Sequence, residues 1–191
     1  MKKTITAIAI SLSLSLSAAG ADEIGDRLKS LAEKELAQAF NETDIVEAVK
    51  AQNSRHANLG QEDIDKLDKQ WRAQAKSGSG SLIDAVLGNA LSGRLKQIKE
   101  SGGGLYTEIF VMDNKGLNVG QSDVTSDYWQ GDESKWQKTF SAGPGSIFVD
   151  AVEFDESTQT YQAQISLTLV DPATNTAVGA VTVGVNVEAL Q

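Results

Sequence analysis

Tyr128, Trp129 and Trp136 crowd into one polar stretch, TSDYWQGDESKWQKTFSAGPG, with Asp127 near its start and Asp150 a short way beyond it. The faces of such rings attract cations, and a nearby carboxylate adds a charge-assisted hydrogen bond, so this set of side chains suits an amine. The same rings can instead pin the stretch onto a sheet as core, because large aromatics dominate packing energetics. The residues alone leave both readings open. Asp123, Asp127, Asp132 and Glu133 suggest Ca²⁺ at first sight, but their spacing departs from an EF-hand loop and solvated loop charges explain them. No metal is expected.

Covalent and acid–base catalysis find little support. The chain has no cysteine, and its one histidine, His56, stands in a polar connection beside Arg55 and Asn58, where a surface position is expected. A Ser-His-Asp triad would need that single ring to reach a serine. Gly-x-Ser-x-Gly, HExxH and phosphate-loop patterns are all missing, and Ser77-Gly78-Ser79-Gly80-Ser81 reads as low complexity rather than a nucleophile turn. Nothing singles out a carboxylate pair for hydrolysis. The expectation is a protein that is not an enzyme and carries no cofactor.

The segments that must position these side chains begin after a leader. Lys2 and Lys3 precede an uncharged stretch from Ile5 to Ser17 and a small-residue site, Ala19-Gly20-Ala21, which reads as a secretory signal peptide over residues 1–21 with cleavage before Asp22. Its apolar part is short for a helix crossing ~30 Å of hydrocarbon, and no later run reaches ~18 apolar residues, so a periplasmic or secreted location follows. Losing the leader removes two Lys and no carboxylate, which takes the net charge from −9 to −11. That balance disfavours nucleic acid and anionic lipid as partners. Without disulfides or thiolate-bound metal, stability must come from an apolar core, and residues 22–191 suit a single one.

Residues 22–100 read as helical and residues 105–191 as a sheet, an α+β arrangement. Ile24, Leu28, Leu31, Ala32, Leu36, Ala39 and Phe40 make one helical stripe; Asn41 and Thr43 offer caps before Ile45, Val46, Ala48 and Val49, so one long kinked helix is expected there. Ile64, Leu67 and Trp71 mark a second helix, Leu82 to Ile98 a third, and Ser101-Gly102-Gly103-Gly104 a firm boundary. Five strands follow, near Leu105 to Met112, Leu117 to Gln121, Ser146 to Phe154, Thr160 to Val170 and Ala177 to Val187. Asp113-Asn114-Lys115-Gly116 and Asp171-Pro172-Ala173-Thr174-Asn175 are turns that imply antiparallel neighbours. Between strands two and three lies an insertion, residues 122–145, able to form a short helix between Asp132 and Phe140.

Strand alternation separates two faces. Val181, Val183, Val185 and Val187 fall on one, expected to meet the helices, while Thr182, Gly184 and Asn186 fall on the other. Gly184 is compatible with a cavity over that second face, or with a bulge or crowding there. Ile165, Leu167 and Leu169 likewise oppose Gln162, Gln164, Ser166 and Thr168.

This order of elements, with the stretch YTEIFVMDNKGLNVGQSDVTSDYWQGDE, the helix-forming SKWQKTF and the closing pair YQAQISLTLVDPATN and AVGAVTVGVNVEAL, resembles the single Cache family of extracytoplasmic sensors from about Asp22 onward. The resemblance implies a long N-terminal helix, or helices, packed on a five-stranded antiparallel PAS-like sheet, with a ligand between the sheet and the insertion. It points to Asp127, Tyr128, Trp129, Asp132 and Trp136 in the insertion, to Phe148 and Asp150 on strand three, and to the polar row of strand four at Gln164. No Arg adjoins the insertion's aromatics, which departs from the amino-acid-binding pattern and leaves an amine or another small metabolite as the expected ligand. The expected role is a free-standing small-molecule sensor for signal transduction such as chemotaxis, feeding a separate membrane receptor. The alternative is a ligand-free interaction protein that forms a homodimer, or docks on a receptor, through the stripe of Ile24, Leu28, Leu31 and Leu36.

Overall fold

The structure, a computed structural model, describes residues 18–156 and 159–190, with side chains from residue 23 onward. Residues 1–17 of the expected leader lie outside the described residues. Helix α1 (Ala18–Leu31) runs through a π-helical segment (Ala32–Leu36) into α2 (Ala37–Phe40). The chain then breaks rather than kinks. Asn41 turns its amide Nδ2 onto the Ala37 carbonyl (3.0 Å) while its Oδ1 accepts from the Val170 N–H (2.9 Å), so the residue ends one helix and ties it to the sheet. After it, α3 (Thr43–Arg55) and α4 (Gln61–Ser77) follow.

The third expected helix is two. Helices α5 (Ser81–Leu87) and α6 (Ala90–Ser101) part at Gly88, whose position leaves no room for a side chain: a Cβ there would sit 2.7 Å from the Asp84 carbonyl oxygen. Asn89 then caps α6, its Oδ1 accepting from Ser92 N (2.8 Å), and its amide reaches the Val119 carbonyl (2.8 Å).

Strands β1 (Tyr106–Met112), β2 (Asn118–Gln121), β3 (Ile147–Val149), β4 (Glu153–Asp155), β5 (Thr160–Asp171) and β6 (Thr176–Asn186) make one antiparallel sheet in the order β2-β1-β6-β5-β3, with β4 also on β5. Six strands replace the expected five because the third is interrupted. At its break Asp150 folds its carboxylate back onto the next N–H, that of Ala151 (2.9 Å), while β5 is long enough to pair both halves. The β1–β2 turn closes as its sequence implies: Gly116, at φ 82°, donates to the Asp113 carbonyl (3.0 Å).

The helices cover one face of this sheet. Val181, Val183 and Val185 are fully buried with Ile109, Val111, Ile165 and Leu169 against Leu28, Leu36, Phe40, Ile45, Val49 and Leu95. Each such aliphatic side chain contributes ~1.5 kcal/mol or more before chain entropy is set against it. Val187 lies just past the end of β6 and is half-buried. The N-terminal stripe is consumed here: Leu28, Leu31 and Leu36 are 1%, 6% and 1% exposed, so no apolar stripe is left at those positions for a partner helix. Among the described residues no helix is long and apolar enough to cross a membrane.

Candidate ligand-binding site

Over the other face lies the insertion, with α7 (Ser134–Gln137) and a 3₁₀ turn (Phe140–Ala142). Half of that face is filled. Trp136 and Phe140, their ring centroids 5.0 Å apart, pack on Phe110, Met112 and Ala180 of β1 and β6, and Thr182 closes the row by hydrogen bonding Ser166 (2.9 Å).

The other half is organised by Glu108. This residue leaves β1 on the same face as Phe110 and is in register with Gly184 of β6, which is in register with Gln164 of β5. Two strand spacings, ~4.8 Å each, separate Glu108 from Gln164, and a glycine between them lets their side chains meet. Gln164 Nε2 donates to Glu108 Oε1 at 2.8 Å. A Cβ at position 184 would lie 2.3 Å from Thr107 Oγ1 and 2.8 Å from Glu108 Cγ. Of the readings left open for Gly184, a cavity or a bulge or crowding, the second holds: the space over it is taken by β1, at the register shift between Tyr106 and Glu108.

Beside this bridge the insertion stands off the sheet and leaves a cavity of about 290 Å³, walled by Glu108, Phe110 and Gln164 from the strands and by Asp127, Gln130, Glu133 and Lys135 from the insertion. Burial holds the Glu108 carboxyl above its usual range, and the Gln164 amide and the Lys135 charge offset only part of that. Lys135 itself is engaged, with its ammonium 2.8 Å from Glu133 and 5.5 Å from the centre of the Phe110 ring.

Helix α4 suspends the roof of the cavity. Asp68 accepts from the backbone N–H groups of Tyr128 (2.9 Å) and Trp129 (3.0 Å), and Trp71 donates its indole N–H to the Thr125 carbonyl (2.8 Å). Arg72 bridges Asp68 and Asp127, 2.6 Å from each. The β1–β2 turn holds the other side, where the Trp129 indole donates to the Lys115 carbonyl (2.8 Å) and the Trp136 indole to the Asp113 carbonyl (3.1 Å).

The eight residues expected at a site are thus not gathered together. Asp127 and Gln164 line the cavity. Tyr128 is 3% exposed and stacks on Trp71 at 5.3 Å in a satellite core with Ile64, Ile83, Val86 and Leu117, and burial raises its hydroxyl pKa. Trp129 packs against that satellite core, and Trp136 lies on the Phe110 cluster, so the aromatics anchor the insertion instead of forming one wall. Asp132 is exposed and lines no part of this cavity. Phe148 is half-buried under the Lys138 ammonium, 4.2 Å from its ring centre, and Asp150 sits at the edge of the sheet near α1. His56 is not a plain surface residue: its Nδ1 lies 3.0 Å from Oδ2 of the fully buried Asp113.

Sequence reasoning missed Glu108, Lys135 and Arg72. Glu108 carried a signal, a lone carboxylate on the strand face shared with Phe110 and Met112; Arg72 carried none, because α4 meets the insertion only in three dimensions. Two larger depressions, of about 510 and 570 Å³, flank α1. In the first, Arg27 is already held by Glu23 (2.8 Å) and the Leu190 carbonyl; the second is walled by Leu28, Val149 and Val152. The smaller cavity concentrates the groups that would orient a ligand.

No family model and no curated protein matches the chain. Among solved structures it is similar to the sensory domain of the Campylobacter jejuni chemoreceptor Tlp3 (17% identity, TM-score 0.42, covering 91% of this chain and 63% of that one). It is also similar to the sensor domain of the Vibrio cholerae histidine kinase DctB (12%, 0.38, 90% and 58%) and to the ligand-binding domain of the Pseudomonas aeruginosa amino-acid chemoreceptor PctC in complex with GABA (14%, 0.38, 88% and 61%). These neighbours are Cache-type sensory domains, and the chain spans about three fifths of each. At such identities the likeness is one of architecture, and the site stands on its own geometry.

Proposed function

We propose that the protein is an extracytoplasmic sensor module, exported by its leader to the periplasm, that binds a small amine-bearing molecule in the cavity over Glu108 and relays its occupancy to a membrane receptor. The observation that carries this reading is the partly buried Glu108 carboxylate, which faces a polar cavity with Asp127 and Glu133 and accepts a hydrogen bond from the Gln164 amide. An ammonium placed there would restore the solvation that burial removes and would add a charge-assisted bond. The ligands named for the Tlp3 and PctC domains, such as L-valine and GABA, carry an amino group and agree with that class.

A thermal-shift screen of amines, amino acids, small carboxylates and purines on the full chain, followed by calorimetry, tests it. Amines are expected to raise the melting temperature and carboxylates to leave it unchanged. Stabilisation by carboxylates alone, or by nothing in the screen, would overturn the proposal.

A further inference from the structure

Lys135 already puts an ammonium group into the cavity over Glu108. It projects from α7, and its side chain is 14% exposed, against 28% to 75% for the other ion-paired lysines among the described residues. Three walls of the cavity hold it: the Glu133 carboxylate at 2.8 Å, the Gln130 amide oxygen at 3.4 Å and the face of the Phe110 ring, whose centre lies 5.5 Å away. A carboxylate, an amide oxygen and an aromatic face are what any primary ammonium needs on leaving water. Lys135 also acts on a fourth wall, because its charge favours the ionised form of the Glu108 carboxyl. The cavity therefore answers one positive charge with a group of its own chain.

That group is free to leave. A lysine ammonium is strongly hydrated and rides on a flexible stem, and the insertion is fastened to the sheet by Trp136 and Phe140 on the Phe110 cluster. We propose, resting on the reading of the site as an amine pocket, that Lys135 is a tethered competitor of the ligand, displaced from Glu133, Gln130 and Phe110 into solvent when an ammonium binds beside Glu108. Two ammonium groups in so small a space repel each other, so arrival of one and departure of the other are linked. The apparent affinity is then lowered by the fraction of molecules in which Lys135 holds the cavity, which sets a threshold for the sensor. A neutral side chain at position 135 removes the competitor and strengthens binding, whereas loss of a ligand-holding or purely structural lysine would weaken it.

Calorimetric titration of the full chain with n-butylamine, on the wild type, Lys135→Met and Lys138→Met, tests this. Lys135→Met is expected to bind the amine about tenfold or more tightly than the wild type, the factor that a lost ion pair and ring contact supply together. Lys138 lies over Phe148 and outside the cavity, so Lys138→Met removes an equal charge without opening the site. Its affinity is expected to stay within about threefold of wild type at about 150 mM NaCl, where distant charges are screened. In the wild type the ε-methylene NMR signal of Lys135 is expected to shift on saturation with n-butylamine while that of Lys138 stays, which reads the displacement without any substitution. Equal or weaker binding by Lys135→Met would overturn the proposal and leave the amine pocket standing. So would a gain matched by Lys138→Met, or a Lys135 signal that does not move while the amine binds. No amine binding by either the wild type or Lys135→Met would overturn both.

Discussion

Glu108 and Gly184 work as a pair. The carboxylate reaches Gln164 across two strands only because nothing projects from position 184, and the same absence lets Thr107 close over the β6 backbone. Gly184→Ala is therefore expected to destabilise the fold by ~1–3 kcal/mol, the usual range for forcing a methyl into a packed site. It should also weaken ligand binding by displacing Glu108. Chemical denaturation and titration on the same variant check both effects. A conservative glycine replacement on a strand would ordinarily affect stability alone, so the loss of affinity is the distinguishing result.

At the scale of elements, α4 acts on the site without lining it. Trp71 is fully buried, stacks on Tyr128 and donates to the Thr125 carbonyl, so Trp71→Ala is expected to cost ~3–5 kcal/mol and to loosen the roof of the cavity. Urea denaturation measures the first effect and faster amide exchange at residues 125–130 the second. Asn89→Ala removes the cap of α6 and its tie to β2, with an expected loss of ~1 kcal/mol in the same urea experiment. These roles show how far the sequence could be read. The strands, turns and helical stripe were legible because period and turn chemistry are local, as at Asp113 to Gly116 and Val181 to Val185. The break at Gly88 was not, since one glycine and one asparagine inside an apolar helical pattern leave the period intact. The site was legible in part: Asp127 and Gln164 stand where the alternation and the insertion suggested, whereas Tyr128 and Trp129 face a satellite core built by α4 and α5, elements far away in sequence. Long-range packing of that kind decides whether an aromatic meets a ligand or a helix.

For the whole molecule, charge sets the terms of recognition. A net charge of −9 and a cleft dominated by carboxylates should draw cationic ligands and repel anions, so amine affinity is expected to fall as NaCl rises from 20 to ~300 mM, where screening shortens to several ångströms. Titration at several salt concentrations reads this directly. Acidity acts in a defined sense as well. Because burial raises the folded-state pKa of Glu108, its neutral form favours the fold: that contribution is complete below the ordinary carboxyl range and disappears as pH rises through the raised value. An ammonium ligand needs the ionised form, so binding must strengthen over the same interval in which the empty protein loses that contribution. The most direct test of the central claim is calorimetric titration of an amine ligand at stepped pH from about 4 to 8, on the wild type and on Glu108→Gln. The account predicts affinity that climbs with pH in the wild type, with no amine binding by the variant at any pH. Amine binding by Glu108→Gln at wild-type strength would contradict it.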